Sequence, residues 1–164
     1  MDKIIRTLVF SLIVVFLASC SARKLGREAL LSHQIGEYYN AIENYRKASR
    51  KEKDRDKRRE YAFSIAECYR YIGDYEMAAL YYRNAIRRGY SDPIALYHHA
   101  EMLRAAQDYE EAIETYRMYL DTVPGDERAR AGLEAIRKTQ EWVANPTRHI
   151  INPIKEINSR ESDY

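Results

Sequence analysis

The side chains able to do chemistry are few and dispersed. Of four histidines, His33, His98, His99 and His149, only two are neighbours. Adjacent residues on a helix point to different faces, so His98 and His99 give neither metal-ligand spacing nor a base with an oriented partner. No glycine-rich phosphate loop occurs. What does recur is a carboxylate and a guanidinium three residues apart: Glu67 with Arg70, and again Glu101 with Arg104. Groups at i and i+3 on a helix are neighbours. Each pair therefore either neutralises itself on a solvated face or offers mixed charge to a partner. Neither use is catalytic, and no enzyme activity, cofactor or metal is expected.

These pairs sit inside a longer period. Gly73-Asp74-Tyr75, followed by Ala78, Tyr82 and Ala85, has counterparts before it (Gly36-Glu37-Tyr38, Ala41, Tyr45, Ala48) and after it (Gln107-Asp108-Tyr109, Ala112, Tyr116, Tyr119). The first tyrosines, Tyr38, Tyr75 and Tyr109, are 37 and 34 residues apart. A period in the mid-thirties without β-branched runs predicts stacked helical hairpins, an all-α solenoid. Gly36 and Gly73 fall where a helix must end with positive φ, and the acidic residue after each can cap the next helix. Tyr, Ala at +3 and Tyr at +7 share one helical stripe, with the alanine allowing close approach of a second helix.

Composition suits this reading: 46% hydrophobic, 32% charged and a net charge of +2, too small to single out nucleic acid as a partner. Fifteen tyrosines against three phenylalanines are mostly explained as core aromatics with a hydroxyl at the edge. No sustained basic groove interleaves them, as stacking on bases would need.

Lys3 and Arg6 precede the apolar run Thr7 to Ala18, closed by Leu17-Ala18-Ser19-Cys20. The run is too short to span a bilayer and reads as an export signal over residues 1–19. Leu-Ala-Ser-Cys at this place resembles the lipobox of bacterial lipoproteins, which implies cleavage before Cys20 and a lipid anchor on its sulfur. That leaves Cys68 as a lone, poorly reactive core thiol. Residues 20–24 then form the lipidated cysteine and a short tether, with helical pattern from Leu25.

Residues 25–126 resemble the tetratricopeptide repeat, in units of about 22–58, 59–92 and 93–126. Unit one matches through Ala29, Gly36, Tyr38, Ala41, Tyr45 and Ala48. Unit two matches through Ala66, Tyr69, Gly73, Tyr75, Ala78, Tyr82 and Ala85, and unit three through Ala100, Leu103, Tyr109, Ala112, Tyr116 and Pro124. The family's tryptophan is replaced by Leu25, Ala62 and Leu96, and Gln107 stands at the third turn glycine. Residues 127–143, with Ala129, Leu133, Ile136 and Val143 on one side, are expected to cap the array. Residues 144–164 form a tail whose Ile150, Ile151, Ile154 and Ile157 are too apolar for a free linker, while Trp142 would anchor it.

The resemblance implies protein or peptide binding on the face made by the first helix of each unit. The family's groove positions fall on Phe63, Glu67, Arg70 and Tyr71 and on Tyr97, His98, Glu101 and Arg104. They do not reproduce the family's Lys/Asn clamp for terminal carboxylates. Anchor, repeats and tail together resemble the front of PorE-like envelope lipoproteins of Bacteroidetes type IX secretion. In that family a propeller-type domain and a peptidoglycan-binding domain like that of outer-membrane protein A follow. The expected role is an outer-membrane, periplasm-facing scaffold for envelope partners; the alternative is a linker of outer membrane to peptidoglycan within a larger chain. The basic run from Arg46 to Arg59 reads as a solvated face or, more sharply, as a contact for anionic lipid head groups.

Overall fold

A computed structural model describes residues 21–145, and every regular element there is a helix. After α1 (21–34) come α2 (Tyr38–Lys51), α3 (Arg55–Ile72), α4 (Tyr75–Arg87), α5 (Ile94–Ala105), α6 (Tyr109–Thr122) and α7 (Glu127–Ala144). Short turns pair α1 with α2, α3 with α4 and α5 with α6, so each pair is an antiparallel hairpin. None of the described helices is long and apolar enough to cross a membrane. The expected signal segment and lipid-attachment site at Cys20, His149 and the tail from 146 onward lie outside the described residues.

The turn rule read from the sequence is obeyed in detail. Gly36 and Gly73 take φ of 82° and 84°, and Gln107 is forced to 65° in the glycine's place. The amide that follows each reaches back five residues: Glu37 to Ser32 (2.8 Å), Asp74 to Tyr69 (3.1 Å) and Asp108 to Leu103 (2.9 Å). These bonds satisfy carbonyls that a helix end leaves open. Asp74 and Asp108 then cap α4 and α6 by accepting from the amides of Met77 and Glu111. Glu37 makes no such cap; its longer side chain accepts from Asn40 instead.

Packing follows the Ala/Tyr stripe. Ala41, Ala78 and Ala112 on the second helices, and Ala29, Ala66 and Ala100 on the first, are all fully buried. Tyr45, Tyr82 and Tyr116 fill the space between layers. The first tyrosine of each unit is the exception. Tyr38 and Tyr109 are half-buried and Tyr75 is exposed, because they stand at the helix start beyond the neighbour's reach. Cys68 is a free, buried thiol whose burial pushes it up to about 12, so it is not nucleophilic at neutral pH.

Three boundaries differ from expectation. Residues 21–24, read as a tether, are already helical, with Ala22 buried and Ser21 Oγ accepting from Lys51 Nζ at 2.9 Å. The helix α3 starts at Arg55, before the expected unit boundary at 59, because Asp54 caps it. In α7, Ala129, Gly132 and Ile136 bury against the array, but Trp142 and Val143 are 72% and 77% exposed. The apolar residues of the last turn of α7 therefore face mostly solvent.

The turn geometry fixes the sign of two substitutions. Gln107→Gly should stabilise the protein by about 1 kcal/mol and Gly73→Ala should destabilise it by a similar amount, since only glycine takes positive φ without steric cost. Urea unfolding followed by circular dichroism checks both.

Candidate functional site

The side chains of α1, α3, α5 and α7 meet in a continuous row. His33 on α1 lies edge-on to Tyr71 on α3, ring centres 5.9 Å apart. His98 Nδ1 on α5 lies 2.7 Å from Glu67 Oε1 on α3. Arg128 on α7 sits over the Tyr97 ring of α5 at 4.7 Å. All eight predicted groove residues lie on α3 and α5.

Their roles separate once the contacts are followed. Glu67 receives Arg70 Nη2 at 2.6 Å and also the hydroxyl of Tyr82 from α4. Its side chain is only 12% exposed. Burial opposes its ionisation, but hydrogen bonds from His98, Arg70 and Tyr82 outweigh that and hold the carboxyl at about 2. Unit three repeats the device: Glu101 takes Arg104 at 2.8 Å and the Tyr116 hydroxyl from α6. The two charge pairs thus neutralise themselves, as the simpler sequence reading held, and in addition fasten first helix to second. Burial raises both tyrosines well above the ordinary phenol range, so each stays a donor.

The aromatic members frame this polar centre. Tyr71 is 54% exposed, stacked on Tyr38 at 5.1 Å, with Arg70 over its other side at 4.5 Å. Phe63 stacks on Tyr90 at 4.4 Å and meets Tyr82 edge-on. Tyr97 packs against Tyr119 and Tyr116. Arg104 keeps a buried Nε without an acceptor among the described residues. The face is a neutral, aromatic, hydrogen-bonding strip, suited to lying against a peptide rather than to moving protons or groups. Among the described residues no three His, Cys, Asp or Glu side chains are grouped to hold a metal.

Three participants escape a reading of the sequence. Arg46, counted within the basic run, bridges three helices: its Nε donates to Tyr81 at 2.9 Å and its Nη2 to Tyr69 at 2.7 Å. Tyr38 and Tyr90 supply stacking partners at the turns. The only advance signal was the repeated offset from Glu67 to Tyr82 and from Glu101 to Tyr116, 15 residues in each case.

With this geometry in view, the comparisons fall into place. The family described as Tetratricopeptide repeat matches residues 63–127, from within α3 to the start of α7. The fold is a tetratricopeptide solenoid. Solved structures like it include the first such domain of Spaghetti (RPAP3) bound to an HSP90 peptide, at 21% identity and a TM-score of 0.61, covering 75% of this chain and 98% of that one. The Arabidopsis OM64 domain gives 14% identity and a TM-score of 0.62, over 74% and 98% of the two chains. The Yersinia enterocolitica type III secretion chaperone SycD, in complex with a peptide of the translocator YopD, gives 19% and 0.61, over 72% and 93%. No curated protein matches by sequence at a significant level.

Two groups, the buried His99 and the brace carboxylate Glu67, make stability fall with acid in two steps. Burial of His99, beside Arg83, lowers it from 6.5 to about 4, so below pH 6.5 the unfolded chain takes a proton that the folded one refuses. Glu67, lowered from 4.5 to about 2, adds a second loss as pH falls through that interval. Each amounts to about 3 kcal/mol when complete. His99→Leu should flatten stability between pH 6.5 and 4 without touching the lower step. Glu67→Gln should cost about 2 kcal/mol at neutral pH and shrink the lower step, read from urea midpoints across pH.

Proposed function

We propose that this chain is a non-enzymatic scaffold of the bacterial envelope that holds a peptide or helical segment of a partner protein along α1, α3 and α5. The observation that carries the reading is the strip itself: charges paired internally, and a row of aromatic side chains of which Tyr71, 54% exposed, is open to solvent beyond its contacts with Tyr38 and Arg70. An extended peptide satisfies its own backbone against such polar edges and seats side chains on the rings. Spaghetti and SycD, of the same fold, hold peptides in their structures. Attachment through a lipid on Cys20, facing the periplasm from the outer membrane, rests on Leu17-Ala18-Ser19-Cys20 after its apolar run. A role in secretion or outer-membrane assembly, of the type IX kind, rests on resemblance in the order of anchor, repeats and tail.

A photocrosslinking residue at Tyr71 should capture an envelope protein in cells, and the same residue at Met118, exposed on α6, should not. Equal capture from both, or none from Tyr71, removes the strip as the binding face. Tyr71→Ala should weaken the captured partner's affinity about tenfold without lowering the melting temperature by more than a few degrees. Mass spectrometry of processed protein should find an acylated Cys20.

A further inference from the structure

Two arginines of the basic run and a third from the next helix converge on one small cleft. Arg55 and Arg58 from α3 and Arg88, which ends α4, line a hollow of about 210 Å³ to which no carboxylate contributes. None of the three forms an ion pair among the described residues; nearby acids are otherwise engaged, Asp56 with Arg59 and Asp54 with the first turn of α3. Arg58 Nε is buried with no acceptor. Three like charges held together without a counter-ion repel one another and favour an anion between them.

Arg88 also lines a second hollow, of about 510 Å³, with Arg46 and Arg50 at its sides and Ala62, Ile65 and Leu80 among its lining. Guanidinium groups beside an apolar floor fit an anion that carries hydrocarbon. That favours a phospholipid head group over free phosphate, which has no use for the floor.

The position of the cleft points the same way. In antiparallel hairpins the start of α1, the end of α2, the start of α3 and the end of α4 share one edge, and the contact of Lys51 with Ser21 shows it. That edge carries Arg50, Lys51, Lys53, Arg55 and Arg88 in excess over Glu52, Asp54 and Asp56, whereas the opposite edge carries the acids Glu37, Asp74, Glu76, Asp108 and Glu110. The basic edge begins next to residue 20. An anionic surface at that end would attract one edge and repel the other.

We infer that Arg55, Arg58 and Arg88 bind the phosphate of an anionic phospholipid, so that the solenoid lies with its basic edge on the bilayer. This deepens the proposed anchoring, yet it is tested without the anchor. The full chain carrying Cys20→Ser is mixed with vesicles of phosphatidylcholine alone or with phosphatidylglycerol added. Phosphatidylcholine alone reports any insertion of the apolar N-terminal run, and the difference reports the cleft. A preference for phosphatidylglycerol is expected that falls about tenfold in Arg55→Gln/Arg58→Gln/Arg88→Gln. The helical signal should be unchanged in the variant, since Arg55 and Arg88 are exposed. A control variant, Arg27→Gln/Arg117→Gln/Arg130→Gln, removes equal charge elsewhere and should keep the preference. Equal loss in both variants, or an undiminished preference in the first, overturns the site. Competition by inorganic phosphate at vesicle-bound phosphate concentrations overturns the lipid as its ligand, and so does tighter binding of an acidic peptide. An unmodified Cys20 in processed protein would end the anchoring proposal while leaving the vesicle result standing.

Discussion

A tyrosine hydroxyl enclosed between two layers of helices has to find an acceptor, and most of this molecule can be understood from that requirement. Alanine at every closest approach draws the helices together until the rings of Tyr82 and Tyr116 are wholly enclosed. Their hydroxyls can then no longer reach water, and leaving them unpaired would cost more than the ring's burial recovers at the margin. Glu67 and Glu101 supply the acceptors, and Arg70 and Arg104 supply the charge that lets those carboxylates remain ionised at depth. The chain from apolar stripe to hydroxyl to carboxylate to guanidinium is one causal sequence, written twice.

This sequence also decides what the exposed face can offer. Because the charges are spent inside, the strip shows rings and the edges of satisfied hydrogen bonds rather than a field of one sign. A clamp for a terminal carboxylate would need uncommitted cations there. Among the described residues, Arg55, Arg58 and Arg88 form instead a cluster of cations without an ion pair, away from this strip. The proposed polypeptide binding and the inferred contact with an anionic lipid therefore fall on different sides of the solenoid.

Much of this was legible in the amino-acid sequence, for a physical reason. Turn glycines, the +3 alanine and the +7 tyrosine act within one hairpin at fixed offsets, so periodicity exposes them, as it exposed the Glu-Arg register. What stayed hidden depends on contacts between units. Arg46 looked solvated because nothing in its neighbourhood of the chain shows that Tyr69 and Tyr81 converge on it. Val143 completed an apolar stripe on paper but faces mostly solvent. Residues 21–24 looked like a tether since their burial comes from α2 and α3, not from their own pattern.

The braces are not shared evenly along the array. Where units two and three carry Glu and Arg, unit one has Leu30 and His33, and Tyr45 has no carboxylate beneath it. At the other end Gly132 leaves room for the ring of Tyr116, whose tip lies 2.5 Å from where a Cβ would stand. Unit one therefore lacks the buried carboxylate brace of the other two and is held to them by the Arg46 bridge and the Tyr38–Tyr71 stack. In a linear stack, where each unit leans only on its neighbours, opening starts at the less braced end. In this array that places the first fraying at the hairpin of α1 and α2.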